Sequence, residues 1–210
     1  FKDGSTQAEP IEFSAPQGSY ITDIFAFAQH TMTINWWLEI TGGARMDAYS
    51  HSGIFFSPRA GILMLPDNTT TLKLLYGRAF RAPSARETLV YIAPDESGDV
   101  PFTNGNKSLV PEVIDTVETE INGKLSSRLR LRGSLYYSLM NNEINKVENP
   151  NNTGSLGHYY YSNQGKTNIV GGEVEGQFRP SMFALDGSFA ATYAMDEDNE
   201  SLQYEFPPQM

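Results

Sequence analysis

Cysteine is absent from the 210 residues, which excludes disulfide frameworks, thiolate metal sites and thiol nucleophiles. Basic charge is scarce: 15 Lys and Arg stand against 25 Asp and Glu, a formal charge of −10. Nucleic acid, whose phosphates demand a basic face, is therefore not an expected partner. No apolar run reaches the length of about 18 residues that a spanning helix needs. Histidine occurs only as His30, His51 and His158, without metal-ligand or Ser/His/Asp spacing. No catalytic residue, metal or cofactor is expected. Asp95, Glu96 and Asp99 do not follow the EF-hand pattern and read as an acidic loop. The polar opening "FKDGSTQAEP" and the ending "YEFPPQM" read as the cut ends of an internal piece of a longer protein.

A mean hydropathy of −0.38 does not exclude a membrane, because a barrel strand alternates apolar and polar residues and averages out as hydrophilic. Period-2 patterning dominates the chain and helical periodicity is nearly absent. In "RLRLRGSLYYSL" (128–139) Leu129, Leu131, Leu135, Tyr137 and Leu139 share one face, and Arg128, Arg130, Arg132, Ser134 and Ser138 share the other. Residues 115–125 alternate likewise. A hairpin through Ser126 and Ser127 predicts Glu120 opposite Arg132, a cross-strand ion pair on the polar face. Residues 168–178 and 183–194 form a second such pair, with Glu173 and Glu175 on the polar side. Strands are also predicted at 37–49, 56–65 and 71–80, and a first one near 20–30 whose facing stays ambiguous.

Connections near 31–36, 66–70, 126–127 and 179–182 are short, whereas those on the other side, such as 81–114 and 145–160, are mostly long. Short turns at one end and long loops at the other fit an outer-membrane barrel. Aromatic residues collect near the strand ends: Trp36, Trp37, Tyr49, Phe55, Phe56, Phe80 and Tyr159 to Tyr161. Interfacial girdles prefer such rings.

One stretch stands apart. "LKLLYGRAFRAPSARE" (72–87) runs from an apolar strand into three arginines and a proline. It resembles the barrel signature of TonB-dependent outer-membrane receptors, carried here by Tyr76, Gly77, Phe80, Arg81, Ala82 and Pro83. "GNKSLVPE" (105–112), with Asn106, Leu109, Pro111 and Glu112, is similar to the family motif that leads into the next strand. "YSNQGKTNIVGGEVEG" (161–176), with Gly172 and Glu173, resembles a third, and "SPRAGILMLP" (57–66) a fourth.

The resemblance implies an all-β, antiparallel transmembrane barrel, of which about eight strands of a 22-stranded, plugged whole lie here. It implies a bacterial outer-membrane location, active import of a scarce ligand such as an iron–siderophore complex or cobalamin, and no enzyme activity. It also implies as partners membrane lipid and lipopolysaccharide, the receptor's own plug, TonB through a region outside this chain, and a small-molecule or metal-chelate ligand. Expected lumen residues facing the plug are Glu118, Glu120, Arg130, Arg132, Glu173 and Glu175. Expected ligand contacts in extracellular loops are Arg81, Arg86, Tyr159, Tyr160 and Tyr161, while Arg78 is expected above the hydrocarbon zone. Gly77 is expected beside a crowded strand, and Pro83, lacking an N–H, at a ladder end. Leu131→Arg is expected to cost roughly 2–4 kcal/mol on insertion at midplane depth, and Arg130→Leu little. The alternation alone also allows a self-closed eight-stranded barrel or a soluble all-β carbohydrate-binding module. Dependence of folding on detergent separates the membrane readings from the soluble one.

Overall fold

A computed structural model describes residues 22–50, 52–89, 91–92, 103–148 and 159–196. Its long strands are β1 (Asp23–Asn35), β2 (Leu38–Tyr49), β3 (Gly53–Met64), β4 (Thr70–Arg81), β7 (Glu112–Lys124), β8 (Leu129–Glu148), β9 (Tyr159–Phe178) and β10 (Leu185–Asp196). Each pairs antiparallel with the next in that order. The link between β4 and β7 carries a one-turn helix, α1 (Ala85–Leu89), and the two-residue strands β5 (Tyr91–Ile92) and β6 (Thr103–Asn104). β6 lies parallel to the start of β9. Among the described residues no pairing joins β1 to β10, so this sheet is an open wall.

The two faces are sorted as the alternation predicts. Leu135, Val174 and Phe189 are 65%, 59% and 72% exposed, whereas Asp47 and Glu120 on the opposite face are 1% and 7% exposed. Apolar side chains outside and charged ones packed inside reverse the order of a water-soluble domain and match barrel strands between lipid and a polar lumen. The ambiguous β1 is settled by register. Ile24, Ala26, Ala28 and Met32 lie opposite Ala48, Met46, Ala44 and Ile40 on the apolar face. Phe25 and Phe27 therefore belong to the polar face, where the Arg45 guanidinium stacks 3.9 Å from the Phe25 ring centroid.

Three features differ from expectation. The β7–β8 hairpin is shifted by two residues: Lys124 lies opposite Arg130, Asn122 opposite Arg132, and Glu120 opposite Ser134. The Ser126 hydroxyl accepts the Arg128 and Leu129 N–H groups, which closes a longer turn over 125–128 and keeps every face. Second, β8 and β9 run to 20 residues each, well past the predicted ends at 139 and 168. Asn142 (φ 59°) and Gly165 (φ 68°) leave one pair unformed there, between Asn141↔Lys166 and Glu143↔Gln164, without shifting the register. A run of polar residues erases the period-2 signal, and strand above a membrane has no lipid face to demand it. Third, a Cβ on Gly77 would meet nothing within 4 Å, so crowding does not explain that glycine.

The turn between β3 and β4 is held by Asp67, whose Oδ1 accepts from Thr69 N, Thr69 Oγ1 and Thr70 N, each at 2.7 Å. The Thr69 hydroxyl and then its N–H hold the Asp67 carboxyl below its ordinary value of 3.8. A depressed carboxyl contributes stability that is full above its unfolded value and fades as the pH falls through the folded one. The Thr69 and Thr70 amide resonances should therefore titrate with a midpoint below pH 3.8. In Asp67→Asn they should not titrate at all.

Candidate functional site

Two groups of polar side chains stand out on this wall. The first lies near the turn end of the polar face. Glu120 on β7 receives Lys73 Nζ from β4 at 2.9 Å and Arg132 Nη2 from β8 at 2.8 Å. Arg132 also lies 3.8 Å from Glu175 on β9, and Arg130, Asn122 and Gln177 complete a recess of about 330 Å³. The ion pair expected between Glu120 and Arg132 forms, but diagonally, because their strands are offset by two residues. Lys73 was not anticipated as its second partner. Its parity with Leu63 and Leu75 on the inner side marked it as available.

Lys73 and Arg132 keep 40% and 44% of their side-chain surface, whereas Glu120 keeps 8%. Solvent therefore screens the cations more than the acid, and the node is worth far less than a fully buried pair. Glu120→Gln should lower barrel stability by about 1–2 kcal/mol in a urea titration in micelles, with the effect shrinking in Lys73→Met.

The second group lies at the loop end. Arg81, the last residue of β4, donates from Nη2 to Glu112 Oε1 at 2.8 Å and from Nη1 to both Glu87 oxygens at 3.0 Å. Glu112 Oε1 also accepts the Ile144 N–H at 2.8 Å. Ser84 and Glu87 cap α1 reciprocally, Ser84 N to Glu87 Oε2 at 2.7 Å and Glu87 N to Ser84 Oγ at 3.2 Å. This Ser-x-x-Glu box was visible in the sequence as "SARE" and is the signal for the unanticipated helix. Gly105 abuts α1 so closely that a Cβ would lie 2.7 Å from the Thr88 backbone. Asn106 Nδ2 donates to Tyr161 O, and Asn163 Nδ2 donates to both Val110 O and Asn142 O. Pro83, Thr88, Leu109, Pro111 and Ile144 are buried here. Segments far apart in sequence thus meet in one small packed cluster.

Three of the four stretches that carry the resemblance meet there, and a family profile described as "TonB dependent receptor-like, beta-barrel" matches residues 2–209. The chain belongs to the TonB-dependent receptor β-barrel family. Among solved structures it resembles the siderophore receptor PirA from Pseudomonas aeruginosa (TM-score 0.71, 20% identity, 84% of this chain, 34% of that one). It also resembles the hemophore receptor HasR from Serratia marcescens, solved with its hemophore HasA and heme (0.67, 20%, 84% and 34%). A third is the FrpB iron transporter from Neisseria meningitidis (0.64, 16%, 85% and 27%). The chain spans about a third of the PirA and HasR chains. A search of curated sequences finds no match.

Within this family member the signature residues have packing roles. Arg81 and Glu112 make the rim ion pair, Pro83 follows the end of β4, and Asn106, Leu109 and Pro111 build the cluster. A Cβ on Gly172 would lie 2.6 Å from Leu135 Cδ2 and 2.9 Å from Ser134 O, so only glycine lets β8 and β9 approach there. Arg78 faces the apolar side, where its charge is matched by Asp115 at 2.8 Å and the Tyr76 hydroxyl donates to the same carboxylate. Arg86 on α1 is exposed. Tyr159, Tyr160 and Tyr161 open β9, and Lys146 Nζ lies 4.4 Å from the Tyr159 ring centroid. Tyr49, Phe55 and Phe80 form a ring cluster with centroids 4.8–6.1 Å apart. Among the described residues no group of acids and histidines is placed to hold a metal. His51, His158, Asp95, Glu96 and Asp99 lie outside the described residues.

Proposed function

We propose that this chain forms part of the barrel wall of an outer-membrane receptor that imports a scarce ligand, an iron–siderophore complex, cobalamin or similar, with energy coupled through TonB. One observation carries the reading: a single sheet whose apolar face is exposed and whose opposite face holds the Lys73–Glu120–Arg132 node. Such a wall suits lipid on one side and a wet, plugged lumen on the other. In this reading Glu118, Glu120, Arg130, Arg132, Glu173 and Glu175 face the plug. Lipid and lipopolysaccharide surround the apolar face.

For ligand capture, Arg86 is the freer of the two rim arginines, since Arg81 already serves Glu112 and Glu87. Tyr159 and Tyr161 offer aromatic faces beside Lys146, with Tyr160 on the opposite face of β9, and the aromatic–cation pair suits an anionic aromatic chelate. The test is uptake of radiolabelled ferric siderophores and cobalamin by cells expressing the full-length receptor, with and without TonB. Accumulation of one ligand that requires TonB supports the reading. TonB-independent accumulation, or none for any ligand while the barrel is folded in the membrane, overturns it.

A further inference from the structure

The hairpins β7–β8 and β9–β10 turn at the same end of the wall, and their turns touch: Arg179 N donates to Arg128 O at 2.7 Å. Like charges collect there. Lys124 lies opposite Arg130 in the ladder, and Arg128 and Arg179 adjoin the last β8–β9 pair, Leu129↔Phe178. Four of the chain's 15 basic residues thus meet at two neighbouring turns of an acidic chain. Like charges directly opposite one another destabilise a strand pair. Among the described residues the side chains of Lys124, Arg128 and Arg130 have no hydrogen-bond or ion-pair partner. Asp67, across the recess it shares with Lys124 and Arg130, spends its Oδ1 on Thr69 and Thr70. Arg179 has Asp186 at 2.7 Å, but both are about half exposed, and such a pair contributes little. Nothing within the wall balances these cations.

The same turns carry exposed apolar side chains. Leu125 is 61%, Met182 92% and Phe183 59% exposed. Two of the three lie on the lipid-facing side. Leu125 Cδ1 is 3.6 Å from where a Cβ on Gly123 would stand, and Gly123 pairs with Leu131 on that face. The Phe183 ring packs edge-on against Phe178, with centroids 6.1 Å apart, and Phe178 lies between Leu129 and Leu185. The apolar face therefore runs on past the last strand pair to the turn tips, where the arginines begin. Short turns of such barrels are periplasmic, so this edge falls where the acyl chains of the inner leaflet give way to headgroups. An apolar rim bordered by unmatched cations is a surface that attracts anionic lipid.

We propose that these two turns hold the phosphate of an anionic phospholipid of the periplasmic leaflet, with Arg128 and Arg179 on the phosphate and acyl chains along Leu125 and Phe183. The proposal rests on the reading of the chain as an outer-membrane barrel wall. Lys124 and Arg130, on the polar side of the same hairpin, strengthen the field at the site. Two observations select a lipid over an acidic polypeptide. The apolar rim is continuous with the lipid-facing strands, and an arginine stands beside it in both turns. The unmatched cations select an anionic headgroup over a zwitterionic one, whose amine they repel.

The test puts a photoreactive side chain at Ser127, exposed in the β7–β8 turn, of the full-length receptor in vesicles of equal parts phosphatidylglycerol and phosphatidylcholine. Light should join it to phosphatidylglycerol about 5-fold more often than to phosphatidylcholine, the preference that one cation near a headgroup confers. Arg128→Gln combined with Arg179→Gln should bring that ratio to one. High salt should do the same to the wild type, since it screens exposed charges. A ratio of one in the wild type, or a preference that either treatment leaves unchanged, would overturn the proposal. Capture of a segment of the receptor itself would assign the turns to an acidic polypeptide and overturn it too. In vesicles that also hold lipopolysaccharide, phosphatidylglycerol should remain the main adduct, and lipopolysaccharide in its place would overturn the assignment to the periplasmic leaflet. A folded receptor that captures no lipid from Ser127, nor from a second label at Leu135, would overturn the barrel-wall reading itself.

Discussion

Leu135→Arg should cost the barrel about 2–4 kcal/mol of folding stability in a bilayer titration, the price of a guanidinium at midplane depth on a lipid-facing strand. Leu135 lies six residues above the start of β8. At about 3.3 Å per residue and a tilt near 40°, that is roughly 15 Å above the turn end, close to the middle of a band about 25 Å tall. Leu131, on the same face, is only two residues from Leu129, so its substitution by arginine falls near the interface and should cost about 0–1 kcal/mol. The reading from sequence placed the larger cost at Leu131. Arg130→Leu, on the polar face, should leave insertion within about 0.5 kcal/mol of wild type. Equal losses from Leu135→Arg and Arg130→Leu would mean that the faces are assigned the wrong way round.

Glu112→Ala should open the loop end without touching the turn end. It removes both Arg81 bonds and the acceptor of the Ile144 N–H, in a place where Leu109 and Ile144 are 7% and 8% exposed. A charged acceptor lost there is worth about 2 kcal/mol, discounted because Arg81 stays half exposed. Hydrogen exchange should speed up at the amides of 105–111 and 142–145, while 119–123 and 130–134 remain protected. Glu112→Gln, which keeps the Ile144 acceptor but weakens the ion pair, should fall between wild type and alanine. Uniform exchange along β7 would mean that the cluster is not a separate unit.

How much of this was legible in the sequence depends on what each residue answers to. Where a strand has lipid on one side, every second residue is constrained, and the faces of 128–139 or 168–178 could be read directly. Register was harder. A slip of two residues preserves every face, and the bonds of Ser126, through its hydroxyl and its N–H, mark the hairpin that forms. The upper halves of β8 and β9 were illegible because no lipid enforces alternation there. The rim cluster was legible as motifs but not as contacts. Nothing in the spacing of Arg81, Glu112 and Asn163 says that they meet, since that depends on a long connection folding back. Lys73 and Arg128 show the converse limit: their parity could be read from sequence, but their having or lacking a partner could not.

The scarcity of buried apolar side chains has a calorimetric consequence. Among the described residues only Leu109, Ile144 and Ala194 are buried hydrophobics. Most of the apolar surface that a soluble domain would hide from water in its own interior is here handed to acyl chains. Unpaired strands cannot stay among those chains, so unfolding carries the lipid-facing surface into water. The heat-capacity increment of this wall should therefore follow the area of its outer apolar face rather than that of a protein core.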